Sequence, residues 1–131
     1  MPFTRTAISA YQAAQLTVSP LQAIVMLYDG VITLAMSAAA AARRRDYETQ
    51  FKDVKRANDI LNGLNMMLDM EKGGRVACSL REMYEAVSRA MLSSIGRSSG
   101  AECCERIAAA VRVTRDAWAE ISGLKKTSQP G

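Results

Sequence analysis

The stretch Ser19-Pro20-Leu21-Gln22-Ala23-Ile24-Val25-Met26-Leu27-Tyr28-Asp29-Gly30-Val31-Ile32 decides how the rest of the chain must fold. It opens as a helix start. The Ser19 hydroxyl can accept a first-turn N–H, Pro20 suits the first helical position, and Gln22 stands three residues past the cap, where it can reach back. Beyond the cap the stretch is apolar on more than one side: Leu21, Ile24, Val25, Leu27, Tyr28, Val31 and Ile32. A helix so apolar needs several neighbours around it. It reads as the central helix of an all-helical bundle.

The composition agrees. The chain has 131 residues, enough for one domain with a core. Aromatics are only 5%, while there are 8 methionines and many alanines, which favours helices packed through small and pliable side chains. The net charge of +4 is mild and the basic residues are scattered. There is no histidine, so the commonest general base and metal ligand at neutral pH is missing. The three cysteines are Cys78, Cys103 and Cys104, an odd number without C-x-x-C spacing. Neighbours on a helix point about 100° apart, so Cys103 and Cys104 make a poor chelate. Free thiols in a reducing cytoplasm are expected. No apolar run of signal-peptide type or transmembrane length is expected either.

Outward from the opening stretch, the spacing predicts four helices and antiparallel sequential neighbours. Residues 1–18 stay outside the pattern, though Ile8, Tyr11 and Leu16 fall along one side of a short helix. Helix one runs from Pro20 to about Arg43, roughly 36 Å. Its alanines, Ala38 to Ala42, permit close approach of a partner. Arg43-Arg44-Arg45 comes next, at the negative end of the helix dipole. Asp46 can cap helix two, about 47–70, whose stripe is Phe51, Val54, Leu61, Leu64 and Leu68, widened by Ile60 and Met67. Gly30 and Gly63 cost about 1 kcal/mol each against alanine, tolerable where another backbone or peptide comes close. Gly73-Gly74 breaks the pattern. Helix three then reaches about Ile95, with Val76, Leu80, Met83, Tyr84, Val87, Ala90 and Met91 on its apolar face. After the turn from Gly96 to Gly100, Ser99 and Glu102 suggest a capping box. Helix four carries Cys104, Ile107, Ala108, Val111, Thr114, Trp118 and Ile121, and a polar tail occupies 124–131. The bundle domain is thus 19–123.

No enzyme is written here. Asp29 and Asp69 stand beside apolar positions and read as rim residues or partners for arginine. There is no phosphate-loop motif, and no cofactor or metal is expected. A nucleic-acid face would draw on Arg43, Arg44, Arg45, Lys52, Lys55 and Arg56 with Tyr47, but Phe51 fits the apolar stripe better than a stacking platform. A peptide-binding face fits the surplus of apolar residues, with Met67, Met83, Tyr84 and Met91 as adaptable surface.

Three segments in order carry a resemblance: Ala10-Tyr11-Gln12, Val18-Ser19-Pro20, and Met26-Leu27-Tyr28-Asp29-Gly30-Val31-Ile32. So do Leu64-Asn65, Met70-Glu71-Lys72-Gly73-Gly74, Leu80 with Met83-Tyr84, and Asp116-Ala117-Trp118. Together they resemble the FliS family of flagellar export chaperones from about residue 10 to 122. The resemblance implies an antiparallel four-helix bundle in the bacterial cytoplasm that binds the disordered C-terminal segment of flagellin. It implies that the bundle prevents early polymerisation and delivers its cargo to a membrane protein of the export gate. It also implies that the N-terminal segment, around Ile8 and Tyr11, covers part of the binding surface until cargo displaces it. On this reading Leu61, Leu64, Met67 and Leu68 of helix two line the surface, and Leu80, Met83, Tyr84 and Val87 of helix three face them. Tyr28 and Trp118 are assigned to the core. No nucleic acid and no small-molecule substrate are expected. The alternatives are a helical adaptor for another protein and a basic nucleic-acid-binding bundle.

Overall fold

A computed structural model describes residues 20–123. Four helices account for nearly all of them: α1 (Pro20–Arg43), α2 (Tyr47–Met66), α3 (Met70–Ser94) and α4 (Gly100–Ser122). The Ser19 cap, the lid residues Ile8 and Tyr11, the rest of 1–18 and the tail 124–131 lie outside the described residues.

The helices form an antiparallel ring in which α1 touches α2 and α4, and α3 closes the other side. Cross-helix bonds fix the directions. Asp29 and Arg43 of α1 meet Arg115 and Glu105 of α4. Ser37 of α1 donates to Asp53 of α2 at 2.6 Å, while Gly30 lies against Ile60. Ser88 of α3 donates to Asn58 of α2, and Ser94 stands beside Cys104 of α4. The alanine run does what small side chains permit: Ala35, Ala38, Ala39 and Ala41 are fully buried, and α1 packs most extensively against α4. Ten of the 24 residues of α1 are buried, against five of 25 in α3, so α3 is the least enclosed helix.

The helix ends show where local chemistry sets the boundaries. Asp46 caps α2, accepting from the Thr49 N–H at 3.1 Å. The expected end of helix two near residue 70 is too late. Asp69 instead caps α3, its carboxylate accepting from the N–H groups of Glu71 and Lys72, so α2 stops at Met66 and Leu68 falls in the turn. The glycine pair is not the end of a helix but a kink within α3. Gly74 stands at φ 52°, ψ −127°, a conformation side chains disfavour. Ser99 occupies the cap position of α4, yet its side chain makes no capping bond, so the predicted capping box does not form.

Four residues expected on apolar faces are exposed instead: Phe51, Met67, Val76 and Ile121. For Phe51 the cause is its neighbour. Gln50 is fully buried, and its amide donates toward the Ser94 carbonyl and hydroxyl while its oxygen accepts from the Gly96 N–H. A buried polar side chain that finds its partners takes the inward position, and the next residue turns out. The expectation that no apolar run reaches transmembrane length is also corrected. By length and composition α1 is long and apolar enough to cross a membrane, but half of that window is buried within the bundle, as in a core helix.

Candidate functional site

At the end of the bundle where α2 turns into α3, an apolar cavity of about 330 Å³ opens to the surface. Leu64, Met67 and Leu68 line one side, Val76, Ala77 and Leu80 the other. Ile24 of α1, Tyr84 of α3 and Trp118 of α4 complete the wall, with Asp69, Lys72 and Gly73 at the turn. The non-helical backbone at Gly74 falls between Gly73 and Val76 of this lining, and Gly73 and Ala77 contribute little side-chain volume to it.

Tyr84 and Trp118 of the cavity wall both bond to the buried Tyr28. Trp118 Nε1–H donates to the Tyr28 hydroxyl at 3.2 Å, and the Tyr28 and Tyr84 hydroxyls share a bond of 2.6 Å. The two rings meet edge to face with centroids 6.2 Å apart, a favourable arrangement of ring quadrupoles. Burial pushes both phenols above their ordinary range, and for Tyr84 the adjacent Tyr28 adds to it. Both remain neutral, hydrogen-bonding groups. This trio ties α1, α3 and α4 together beside the cavity. Nearby, the Arg115 guanidinium grips both oxygens of Asp29 and also reaches Asp116. The hydrogen bond to Asp29 holds Arg115 firmly charged. Asp29 is therefore a partner for arginine, as its position suggested.

Of the eight residues proposed from sequence, Leu64, Met67, Leu68, Leu80 and Tyr84 line the cavity. Leu61 and Val87 are buried in the core, and Met83 packs partly buried against it; none of the three borders the opening. Leu64 and Tyr84 also belong mainly to the core, each about 3% exposed. Tyr28 is core as expected. Trp118 is corrected from core to cavity wall, half-buried with its indole N–H turned inward. Sequence reasoning missed Ile24, Val76 and Ala77 as lining, and Asp69, Lys72 and Gly73 at the turn. Ile24 lies one turn before Tyr28, so the spacing held a signal. Ala77 gave none, because its contribution is the volume it leaves empty.

Three of the six residues of the basic cluster at the opposite end are paired within the chain. Arg43 binds Glu105 at 2.7 Å, Arg44 lies 3.6 Å from Asp46, and Lys52 3.8 Å from Glu48.

Fold and cavity together define a class: an all-helical bundle protein with an apolar pocket open at one end. Comparison with known proteins supplies the family. A family model described as "Flagellar protein FliS" matches residues 4–125. The flagellar secretion chaperone FliS of Campylobacter jejuni is 33% identical over 127 residues, 94% of this chain and 96% of that protein. The protein of the same name from Salmonella typhimurium is 31% identical over 126 residues, covering 92% and 93%. That from Escherichia coli is 26% identical over 110 residues, covering 83% and 80%. This chain belongs to the FliS family of flagellar secretion chaperones.

Proposed function

We propose that the chain binds the C-terminal segment of newly made flagellin, keeps it from polymerising early and hands it to the membrane protein of the export gate. It does so in the cytoplasm, without catalysis and without a cofactor. The observation that carries this reading is an open apolar cavity in a bundle whose family are secretion chaperones. The mode is helix in groove: apolar residues of a disordered segment enter the cavity as the segment orders. Met67, Leu68 and Leu80 are its accessible contacts, Leu64 and Tyr84 its floor, and Leu61, Met83 and Val87 hold that floor in place. Residues 1–18 act as a lid, with Ile8 and Tyr11 competing for the same surface until cargo exceeds what the lid gains by docking.

Titration of the purified chain with the flagellin C-terminal segment, monitored by calorimetry at two ionic strengths, tests this reading. Apolar capture predicts saturable one-to-one binding that changes less than about three-fold between 50 and 200 mM salt. Phosphate-type contacts would lose about 10³-fold or more over that range. Absence of binding, or a steep salt dependence, would contradict the proposal.

A further inference from the structure

Tyr84 also borders a second, smaller cavity of about 190 Å³ between α2 and α3, with a different lining. Leu61, Asn62, Asn65, Glu85, Ser88 and Arg89 surround it, with Tyr84 shared between the two. Ser88 is satisfied, donating to Asn58 Oδ1 at 2.7 Å. Asn65 is not. Its Oδ1 is shut away from solvent and has no hydrogen-bond partner. A buried carbonyl left unpaired bears the full cost of its lost hydration, and native structures rarely keep one without a reason. Among the described residues neither Glu85 nor Arg89 makes an ion pair. Along α2 the mainly polar lining (Leu61, Asn62, Asn65) precedes the apolar lining (Leu64, Met67, Leu68) by roughly one helical turn, about 5 Å of rise.

We propose that Asn65 reads a polar group on the bound segment and so fixes the register in which that segment enters the groove. The inference rests on the cargo reading above and adds its specificity. The occupant is an amphipathic helix. Its aliphatic residues fill the first cavity, and about one turn along it presents an amide, a hydroxyl or a main-chain group to Asn65. The carboxamide can rotate about its last bond to offer either its oxygen or its nitrogen. A helix that is aliphatic throughout leaves the carboxamide oxygen as unpaired as it is in the free chain, so it forgoes that hydrogen bond and binds more weakly than one that supplies it. The apolar cavity supplies affinity; Asn65 supplies the choice among apolar helices and among registers of one helix.

The test compares wild-type chain with Asn65→Leu in calorimetry against the flagellin C-terminal segment, alongside thermal melts of both. Leucine removes the unpaired oxygen at similar volume, so its melting temperature is expected to equal or exceed wild type while affinity falls about five-fold, the worth of one hydrogen bond. Affinity unchanged in a folded Asn65→Leu chain overturns the inference. Should that variant fail to fold, the wild type decides: the ¹H–¹⁵N resonances of the Asn65 carboxamide shift on saturation with the segment, and unmoved resonances overturn the inference. A wild type that does not bind the segment removes the cargo reading and this one with it. Normal binding by the folded leucine variant removes this one alone.

Discussion

Replacing Tyr28 by alanine should destabilise the bundle by about 3–5 kcal/mol, a large fraction of the 5–15 kcal/mol that holds a domain of this size. Tyr28 is 1% exposed, so its ring leaves a void lined by three helices. The substitution also strips the Tyr84 hydroxyl and the Trp118 indole of their partner. The hydroxyl share can be separated from the ring share. Tyr28→Phe keeps the ring but leaves a buried Tyr84 hydroxyl unpaired, which should cost about 1–3 kcal/mol. Tyr84→Phe should cost less, because Tyr28 keeps the Trp118 bond. The double Phe variant should be more stable than the sum of the two losses predicts, since the second change removes the orphan created by the first. Urea unfolding monitored by circular dichroism measures all of these. Strictly additive losses would show that the 2.6 Å bond between the hydroxyls contributes nothing.

Leu80→Asp is expected to weaken binding of the flagellin segment about 30- to 150-fold, or 2–3 kcal/mol, the range of an interface hot spot. Leu80 is partly buried at the cavity mouth, packed against the core on one side and open on the other. An aspartate there can turn to water in the free chain, so the fold survives. Once a bound helix covers the mouth, the carboxylate loses much of its water among mostly apolar neighbours, where Lys72 at the turn is the one cation of the lining. Leu64→Asp would be a poorer choice, because Leu64 is 3% exposed and the charge would enter the core in the free chain too. A calorimetric affinity within about three-fold of wild type, with an unchanged melt, would move the binding surface elsewhere.

The four helices and their order were legible because length, caps and turns agreed. Asp46 and the long apolar run of α1 state their roles in residues that have few alternatives. The boundary between α2 and α3 was not legible in the same way. Met67, Leu68 and Met70 continue an apolar rhythm through the turn, and only the capping bonds of Asp69 show where one helix stops. The site was half legible for a related reason. Helical spacing shows which residues share a face, and Leu64, Met67, Leu68, Leu80 and Tyr84 do meet at one cavity. Spacing alone does not divide a wide apolar face into core and surplus. That division depends on neighbouring helices, on the kink at Gly74 and on the small Ala77, which is why Leu61 and Val87 lie inside and Trp118 lines the wall.

Trp118 gives the most direct test of the central claim, that the cavity is where another chain docks. It is the only tryptophan in the sequence and it forms part of the cavity wall. With a flagellin segment that itself lacks tryptophan, acrylamide quenching of Trp118 fluorescence is expected to fall at least two-fold at saturation, in step with the calorimetric isotherm. Saturated binding that leaves both the emission and the quenching of Trp118 unchanged would place the segment away from the cavity and contradict the account.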